Sequence, residues 1–428
     1  MEKLRGLIKK IIPRKLFLTL QSPYHYLLAW LGAIVYRFPS RYIKVVAVTG
    51  TKGKSSVVEL VNAVLEEAGF KTALLGTIRF KVGDESKPNL YKMTTPGRFF
   101  VQQFLRRAVD AGCQYAVIEM TSEAARQFRH KFITLDALIF TNLSPEHIES
   151  HGSYEKYVEA KLAIGKALET SSKKNRVLVV NGDEKEAVKF LALAIPRKLT
   201  YSLAGAQPYE SHAGGLSLTF ERQKIVCRLE GVFNIYNCLA AAAFGQSQNI
   251  SPKIIKSALE KVVVIKGRVE HIDCGQNFTV IVDYAHTPDS LEKLYQAFPS
   301  GKKIAVLGNT GGGRDVWKRP VMAGIAEKYC DEIILTNEDP YDENPRAIVA
   351  QMAAGMKKHK PEIIMDRRQA ISAALRLAQR LAQDTNQNNP IVLISGKGTD
   401  PFIMGPNSSK MVWDDATVVR EEWQKLAR

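Results

Sequence analysis

Apolar positions along the chain follow two periods. From Val45 onward, short apolar runs bounded by turn residues alternate with stretches in which apolar residues recur every three or four positions. The runs predict strands at residues 45–49, 72–75, 115–120, 137–141 and 177–181, and the longer period predicts helices such as 56–68 and 99–111. Strands that alternate with helices imply a parallel sheet wrapped by helices. Residues 200–230 break this rhythm: 217–220 and 224–229 alternate around polar turns and predict short antiparallel strands. After Gly267 the first pattern restarts, with strands at 279–282, 303–307, 332–335 and 391–395, which predicts a second, smaller, doubly wound α/β domain. The divisions expected are therefore 1–44, 45–264 and 265–428.

The first 44 residues stand apart. Lys3, Arg5, Lys9, Lys10, Arg14 and Lys15 precede an apolar run, 26–36, that contains Trp30 and is bounded by Arg37 and Pro39. The run is too short to span a bilayer, which takes about 20 apolar residues, and no small-residue cleavage site follows it. Two readings stand: a helix packed on the domain that follows, or a peripheral membrane contact through residues 1–38 with Trp30 at the boundary.

The richest stretch is Thr49-Gly50-Thr51-Lys52-Gly53-Lys54-Ser55-Ser56, at the end of the first strand and the start of a helix. Gly50 and Gly53 allow a tight turn with inward amides, and the helix N-terminus aims its positive end at the same spot. Lys54 suits the β- and γ-phosphates of a nucleotide, Ser55 suits Mg²⁺, and Ser56 either supplements it or caps the helix. The spacing departs from G-x-x-x-x-G-K-[ST], because Val48 stands five before Gly53.

Open α/β sheets keep their ligands at strand ends. Glu119, Thr121 and Ser122 follow the third strand, and Asn142 to Gly152, with His147 and His151, follow the fourth. Glu119 and His147 are thus placed to share a metal beside the phosphates, whereas His151 reads as structural. Lys161 falls on a helix beginning near Tyr154, and spacing alone leaves it on a solvated face. In the second domain, Asp283 ends a strand where a carboxylate suits ribose hydroxyls. Gly311 to Gly313 then permit close backbone approach, and Arg314, Lys318 and Arg319 offer cations to anionic groups.

These motifs, in this order, resemble the Mur ligase family, and within it the UDP-N-acetylmuramyl tripeptide synthetase type. The resemblance is carried by the Thr49 to Ser55 loop, Thr94-Thr95-Pro96, Glu119-Met120-Thr121-Ser122, the segments 141–147 and 157–161, and Phe233-Asn234 with Asn237. Gly267-Arg268-Val269-Glu270, the segments 283–288 and 311–320, and Gly396-Lys397-Gly398 complete it. It implies an α/β fold with a central P-loop parallel-sheet ATPase domain and a C-terminal Rossmann-like ligase domain. The activity implied is an ATP-dependent carboxylate-amine ligase acting through an acyl phosphate, with ATP and Mg²⁺ as cofactors. Gly50 to Ser56, Asn234, Asn237, Arg268, Asp283 and His286 would bind the nucleotide. Ser55, Glu119, His147 and Lys161 would serve the metal, Lys161 as a carbamylated lysine, which replaces the solvated-face reading. Lys54, His147, Lys161 and Arg314 would carry catalysis. Thr94, Thr95, Thr121, Ser122, Arg129, Arg314, Asp339, Tyr341, Gly398 and Asp400 would contact the muramyl-peptide acceptor and the added amino acid.

Three departures shape the expectation. Only 44 residues precede the central sheet where the family carries a UDP-binding domain, which weakens the expectation of UDP recognition and opens a truncated or lipid-linked acceptor beside the UDP-linked one. Glu338-Asp339-Pro340-Tyr341 replaces the Asp-Asn-Pro-Arg of diaminopimelate enzymes, removing a bidentate partner for a distal carboxylate and pointing to lysine or another amino acid. Gly396-Lys397-Gly398-Thr399-Asp400 replaces Gly-Lys-Gly-His-Glu. A folylpolyglutamate or poly-γ-glutamate ligase is the neighbouring alternative. The net charge of +17 keeps a third in view, a basic P-loop ATPase on nucleic acid, although no aromatic-interleaved basic patch or zinc-finger spacing supports such a partner. Five scattered cysteines (113, 227, 238, 274 and 330) without C-x-x-C spacing fit a reducing cytoplasm, where a monomer is expected.

Overall fold

The structure, a computed structural model, describes residues 14–146, 148–313, 315–358, 360–383 and 389–427, and it divides into two compact units. His147 and Arg314 lie outside the described residues, as do Lys3, Arg5, Lys9 and Lys10.

The first unit comprises 1–143, 155–201 and 243–250. It opens with helix α1 (Arg14–Val35), followed by an eight-stranded sheet in the order β4-β3-β2-β5-β1-β6-β7-β8. The strands are β1 (Lys44–Thr49), β2 (Thr72–Leu75), β3 (Arg79–Val82), β4 (Glu85–Pro88), β5 (Tyr115–Glu119), β6 (Ala137–Phe140), β7 (Val177–Asn181) and β8 (Arg197–Tyr201). From β2 to β8 every pairing is parallel, and only the β2-β3-β4 edge runs antiparallel. Val45 to Val48, Ala116 to Ile118 and Leu138 to Phe140 are fully enclosed, as strands covered on both faces must be. The chain winds from β1 toward β2 and later toward β6, so the direction reverses at β1. Sheets of this topology bind ligands at the carboxyl ends of the strands beside such a reversal, here β1, β5 and β6. Helices α2 (Lys54–Glu67) and α3 (Arg98–Asp110) cover the sheet.

The second unit comprises 144–154, 202–242 and 251–428. It holds a three-stranded antiparallel sheet of β9 (Glu210–His212), β10 (Gly215–Phe220) and β11 (Gln223–Cys227), as the alternation in 200–230 predicts. Its larger sheet has the order β12-β13-β17-β14-β15-β16, from β12 (Glu270–His271), β13 (Thr279–Val282), β14 (Lys303–Leu307), β15 (Glu332–Leu335), β16 (Glu362–Ile363) and β17 (Ile391–Ile394). All its pairings are parallel except β12 with β13. Helices cover both faces. One layer packs Ile371, Leu375, Val419 and Trp423 on the sheet, and the other packs Leu291, Leu294, Met322 and Met352. A hairpin of β18 (Phe402–Met404) and β19 (Lys410–Val412) follows β17.

An enclosed ion pair ties the start of the helix Arg367–Gln383 to the start of the C-terminal helix, Asp415–Leu426. Arg367 Nε and Nη2 donate to the Asp415 carboxylate at 2.9 and 2.7 Å, and Trp413 Nε1 donates to the same group at 2.7 Å. Removing one partner leaves an uncompensated buried charge. Asp415→Ala is therefore expected to lower the stability of this unit by about 3–5 kcal/mol, read by urea denaturation with tryptophan fluorescence. A loss below about 1 kcal/mol, the level of an exposed pair, would refute the assignment.

Candidate active site

The loop after β1 is built against the end of β6. Thr51 N–H donates to Asn142 O at 2.9 Å and Lys52 N–H to Asn142 Oδ1 at 2.7 Å, while Thr141 Oγ1 donates to Lys52 O at 2.7 Å. Gly50 lies at φ 151°, and a Cβ there would come within 1.9 Å of Thr141 Oγ1, so only glycine fits. Gly53 (φ 80°) turns the chain into α2, which begins at Lys54. Its N-terminal position carries no side-chain cap, so the capping role considered for Ser56 is not realised; Ser56 is instead buried within the helix face. A helix N-terminus of this kind presents backbone N–H groups and a positive dipole end, which suit an anionic phosphate. Lys54 Nζ donates to Thr51 O at 2.8 Å, beside the same loop.

Glu119, at the end of β5, gathers the neighbouring loops. Ser55 Oγ lies 3.2 and 3.1 Å from its two carboxylate oxygens, and Thr77 donates to Oε2 through both N–H and Oγ1 at 2.9 Å. Thr77 Oγ1 also meets Thr94 Oγ1 at 2.8 Å, and Thr95 Oγ1 donates to Glu119 O at 2.8 Å. A buried carboxylate beside a hydroxyl at the phosphate loop is the hard-oxygen set that Mg²⁺ takes, so Ser55 and Glu119 fit this ion. Thr77 is a site residue that motif reasoning missed: it belongs to no recognisable pattern, although it lies two residues beyond β2, the one signal that could have flagged it. Asn142 belongs to the 141–147 segment that carries the resemblance, and its part is to brace the loop.

Lys161 is 1% exposed on the helix Tyr154–Glu169, which corrects the solvated-face reading from helical spacing. Its Nζ donates to Gly50 O at 2.6 Å and lies 4.8 Å from the Tyr157 ring centroid, while Tyr157 Oη meets Thr51 Oγ1 at 2.9 Å. This helix thus faces the loop rather than water.

Acceptor-side expectations divide. Thr121 Oγ1 accepts from Ala124 N–H at 3.0 Å and caps the short helix Ser122–Arg126, so a local duty holds its hydroxyl. Arg129 is buried, donates to Thr95 O and donates to Gln127 Oε1 at 2.7 Å. Burial lowers its pKa from the usual guanidinium value. Beside it, burial also lowers the His130 pKa to about 4, so this histidine is neutral at ordinary pH.

In the second unit the Asp283 carboxylate pins its own loop, accepting from Val269 N–H at 2.8 Å and Ala285 N–H at 2.7 Å. Arg268 lies over the Tyr284 ring at 4.4 Å, and His286 Nε2 is 3.3 Å from Glu146 Oε1. Asn234 and Asn237 are bonded to each other at 2.8 Å on the helix Val232–Ser247. Gly398 abuts Tyr284 and Gly267, so the Arg268 and Gly396-Lys397-Gly398 motifs meet at one place. Lys397 is enclosed there, 2.9 Å from Asp339 and 3.0 Å from Asp400. Asp339 and Asp400, expected to touch substrate, thus neutralise an internal lysine.

Next to them, Glu338 is buried. Its Oε1 accepts from Thr310 Oγ1 at 2.9 Å, and its Oε2 has no hydrogen-bond partner among the described residues. Burial, with Asp339 beside it, raises its pKa above the usual carboxylate value. Tyr341, held at φ 52°, lines a cavity of about 650 Å³ together with Asp342, Glu343, Asn344, Ile403 and Lys410.

Two family profiles match the chain: the Mur ligase middle domain over residues 48–245, and the Mur ligase glutamate ligase domain over residues 267–398. A UDP-N-acetylmuramoyl-L-alanyl-D-glutamate–2,6-diaminopimelate ligase of Syntrophomonas wolfei is 37% identical over 412 residues, covering 92% of this chain and 81% of that protein. A UDP-N-acetylmuramyl-tripeptide synthetase of Roseiflexus is 36% identical, covering 93% and 82%. Among solved structures, a folylpolyglutamate synthase of Mycobacterium tuberculosis complexed with ADP and AMPPCP superposes with a TM-score of 0.70 over 87% of this chain and 93% of that one. At 17% identity, this likeness speaks for the fold alone. The phosphate loop of the first unit, the two-unit α/β architecture and these matches together lead to one assignment: the chain belongs to the Mur ligase family, the ATP-dependent amino-acid ligases of peptidoglycan synthesis.

Proposed function

We propose that this ligase joins an amino acid with a cationic side chain to the free carboxylate of a muramyl peptide carried on UDP or on lipid. It would act in the cytoplasm, as a monomer. Residues 45–264 would form the ATP-binding domain and 265–428 the domain that receives the amino acid. The observation that carries the amino-acid preference is the residue at the mouth of the Tyr341 cavity: a tyrosine stands where a guanidinium would grip a distal carboxylate, and Asp342 lines the same cavity, while Glu343 is paired with Arg319 at 2.8 Å.

The reaction is phosphoryl transfer followed by acyl transfer, in which the protein mainly positions charge. An oxygen of the peptide carboxylate attacks the γ-phosphorus, ADP leaves, and the incoming amine displaces phosphate from the acyl phosphate with loss of one proton. Lys54 and the loop amides at Gly50 to Ser55 offset negative charge on the transferred group. Ser55, Glu119 and a carbamate on Lys161 would hold Mg²⁺, which when bound supplies further charge neutralisation on the phosphates. Glu338, buried with its Oε2 unbonded among the described residues, would accept a hydrogen bond from the amino group of the incoming amino acid.

The test is an ATP-dependent phosphate-release screen over the common amino acids and diaminopimelate, with UDP-linked and lipid-linked muramyl dipeptide as acceptors. Lysine or ornithine is expected to exceed diaminopimelate by about tenfold or more, the discrimination of one charged contact. A preference for diaminopimelate overturns the cavity reading, and silence with every acceptor overturns the muramyl reading. Peripheral membrane contact through the N-terminal segment belongs to the same proposal.

A further inference from the structure

Helix α1 is apolar on two faces, and the fold uses only one of them. His25, Ala29 and Ala33 are buried at a four-residue spacing, the stripe of a packed helix. This stripe lies on α3: a Cβ on Gly32 would come within 3.5 Å of Phe99 Cα and 3.6 Å of Gln102 Cγ. Arg106, on α3, donates to Tyr36 O at 3.1 Å and to Arg37 O at 3.3 Å, satisfying carbonyls where α1 ends. On the other side Leu27, Trp30, Leu31, Ile34 and Val35 follow at spacings of three, one, three and one, and they are 51, 42, 37, 42 and 60% exposed. A helix apolar all round normally lies in a core or a membrane, and a contiguous exposed apolar stripe marks an interaction surface.

From these observations we infer that the outer face of α1 is a docking surface for an anionic lipid bilayer, on which the helix lies in the interfacial plane. Charge decides between occupants. No aspartate or glutamate occurs between Glu2 and Glu59, whereas Arg37, Arg41 and Lys44 are exposed beyond the helix end, Lys3, Arg5, Lys9 and Lys10 precede the helix in sequence, and Arg14 and Lys15 are its first two residues. A second copy of the chain would bring two such basic segments together with no acid between them. An anionic bilayer matches both the apolar stripe and the cations, and the tryptophan sits in the stripe, as at a headgroup boundary. No helix among the described residues is long and apolar enough to cross a membrane, so the contact is peripheral.

The location gives the contact a purpose, which rests on the proposed ligase reading. Tyr26 packs edge-on against Phe128 and Phe132, with ring centroids 5.9 and 5.1 Å away. Those rings bracket Arg129, which donates to Thr95 O in the acceptor-side loop. Docking α1 brings that loop to the bilayer surface, where an acceptor carried on lipid is presented.

The experiment is sedimentation of the full chain with phosphatidylcholine vesicles, with and without phosphatidylglycerol. Binding is expected to be about tenfold or more stronger with phosphatidylglycerol and to weaken as salt rises. It should be accompanied by a blue shift of tryptophan emission that Trp30→Phe removes without releasing the protein. Leu27→Glu with Leu31→Glu is expected to reduce binding about tenfold or more, with the melting temperature and the ATP-dependent phosphate release in solution unchanged. Failure to bind phosphatidylglycerol vesicles, or wild-type binding by the double variant, overturns the inference. A wild-type dimer that the double variant converts to monomer, without vesicle binding, overturns it in favour of a contact between copies. Binding requires neither ATP nor acceptor, so an inactive protein that still binds vesicles refutes the ligase reading and leaves this one standing.

Discussion

Lys54→Ala is expected to lower amino-acid-dependent phosphate release by about a thousandfold or more while leaving the melting temperature close to wild type. The magnitude follows from position. Lys54 is the first residue of α2, at the positive end of the helix, and its ammonium lies 2.8 Å from Thr51 O of the loop. A single donor directed at charge that develops in the transition state is worth about 10²–10³ in rate, and a lysine adds full charge to that. Stability should hold because alanine is the best helix former and the side chain is only partly buried. Initial rates over a range of ATP concentrations check the claim. A kcat within about tenfold of wild type would mean that Lys54 is not the phosphate-binding cation, since one misplaced or uniform binding contact accounts for that much.

What the chain reveals before folding depends on how far apart the interacting residues lie. Strands β2, β7, β13, β14 and β15 coincide with the apolar runs that predict them, because a strand enclosed on both faces needs no partner information to be recognised. Strands β3 and β4 carry no continuous apolar run: Arg-Phe-Lys-Val, with only Phe80 and Val82 apolar, and Glu-Ser-Lys-Pro lie toward the sheet edge, half-buried and exposed respectively. The two-residue strands β12 and β16 are too short for any period to register.

The site divides in the same way. Gly50 and Gly53 are legible because a backbone requirement is written into the residue type itself. Thr77 is not legible, since its hydrogen bonds to Glu119 span 42 residues and threonine after a strand is unremarkable. Asp339 and Asp400 read as exposed ligand groups, but both pair with Lys397, a lysine that the fold encloses completely. Their neighbour Glu338 keeps one carboxylate oxygen without a hydrogen-bond partner among the described residues. Helix α1 shows the limit most plainly. Packed helix and membrane contact read as alternatives in the sequence, whereas a helix has two sides, and the buried stripe of His25, Ala29 and Ala33 leaves the other free to serve the second role.

Replacing Lys161 tests the chemistry of the loop from the opposite side. Lys161→Met keeps most of the volume of an enclosed side chain, a substitution that cores tolerate, and it is expected to preserve the fold while lowering ligation by about a thousandfold, the scale of an oriented charge lost from a phosphoryl-transfer site. If the lysine works as a carbamate, its neutral amine adds to CO₂ with loss of one proton, and the resulting anion becomes an oxygen ligand beside Glu119 and Ser55. Wild-type protein depleted of bicarbonate should then lose activity and regain it when bicarbonate returns, and ¹³C-bicarbonate should produce a carbamate resonance that is absent from Lys161→Met. Wild-type activity in Lys161→Met would sink any role for this side chain. An inactive variant beside a bicarbonate-insensitive wild type without the resonance points elsewhere: the lysine then acts as an ammonium, holding the loop through the 2.6 Å bond to Gly50 O and the stacked Tyr157.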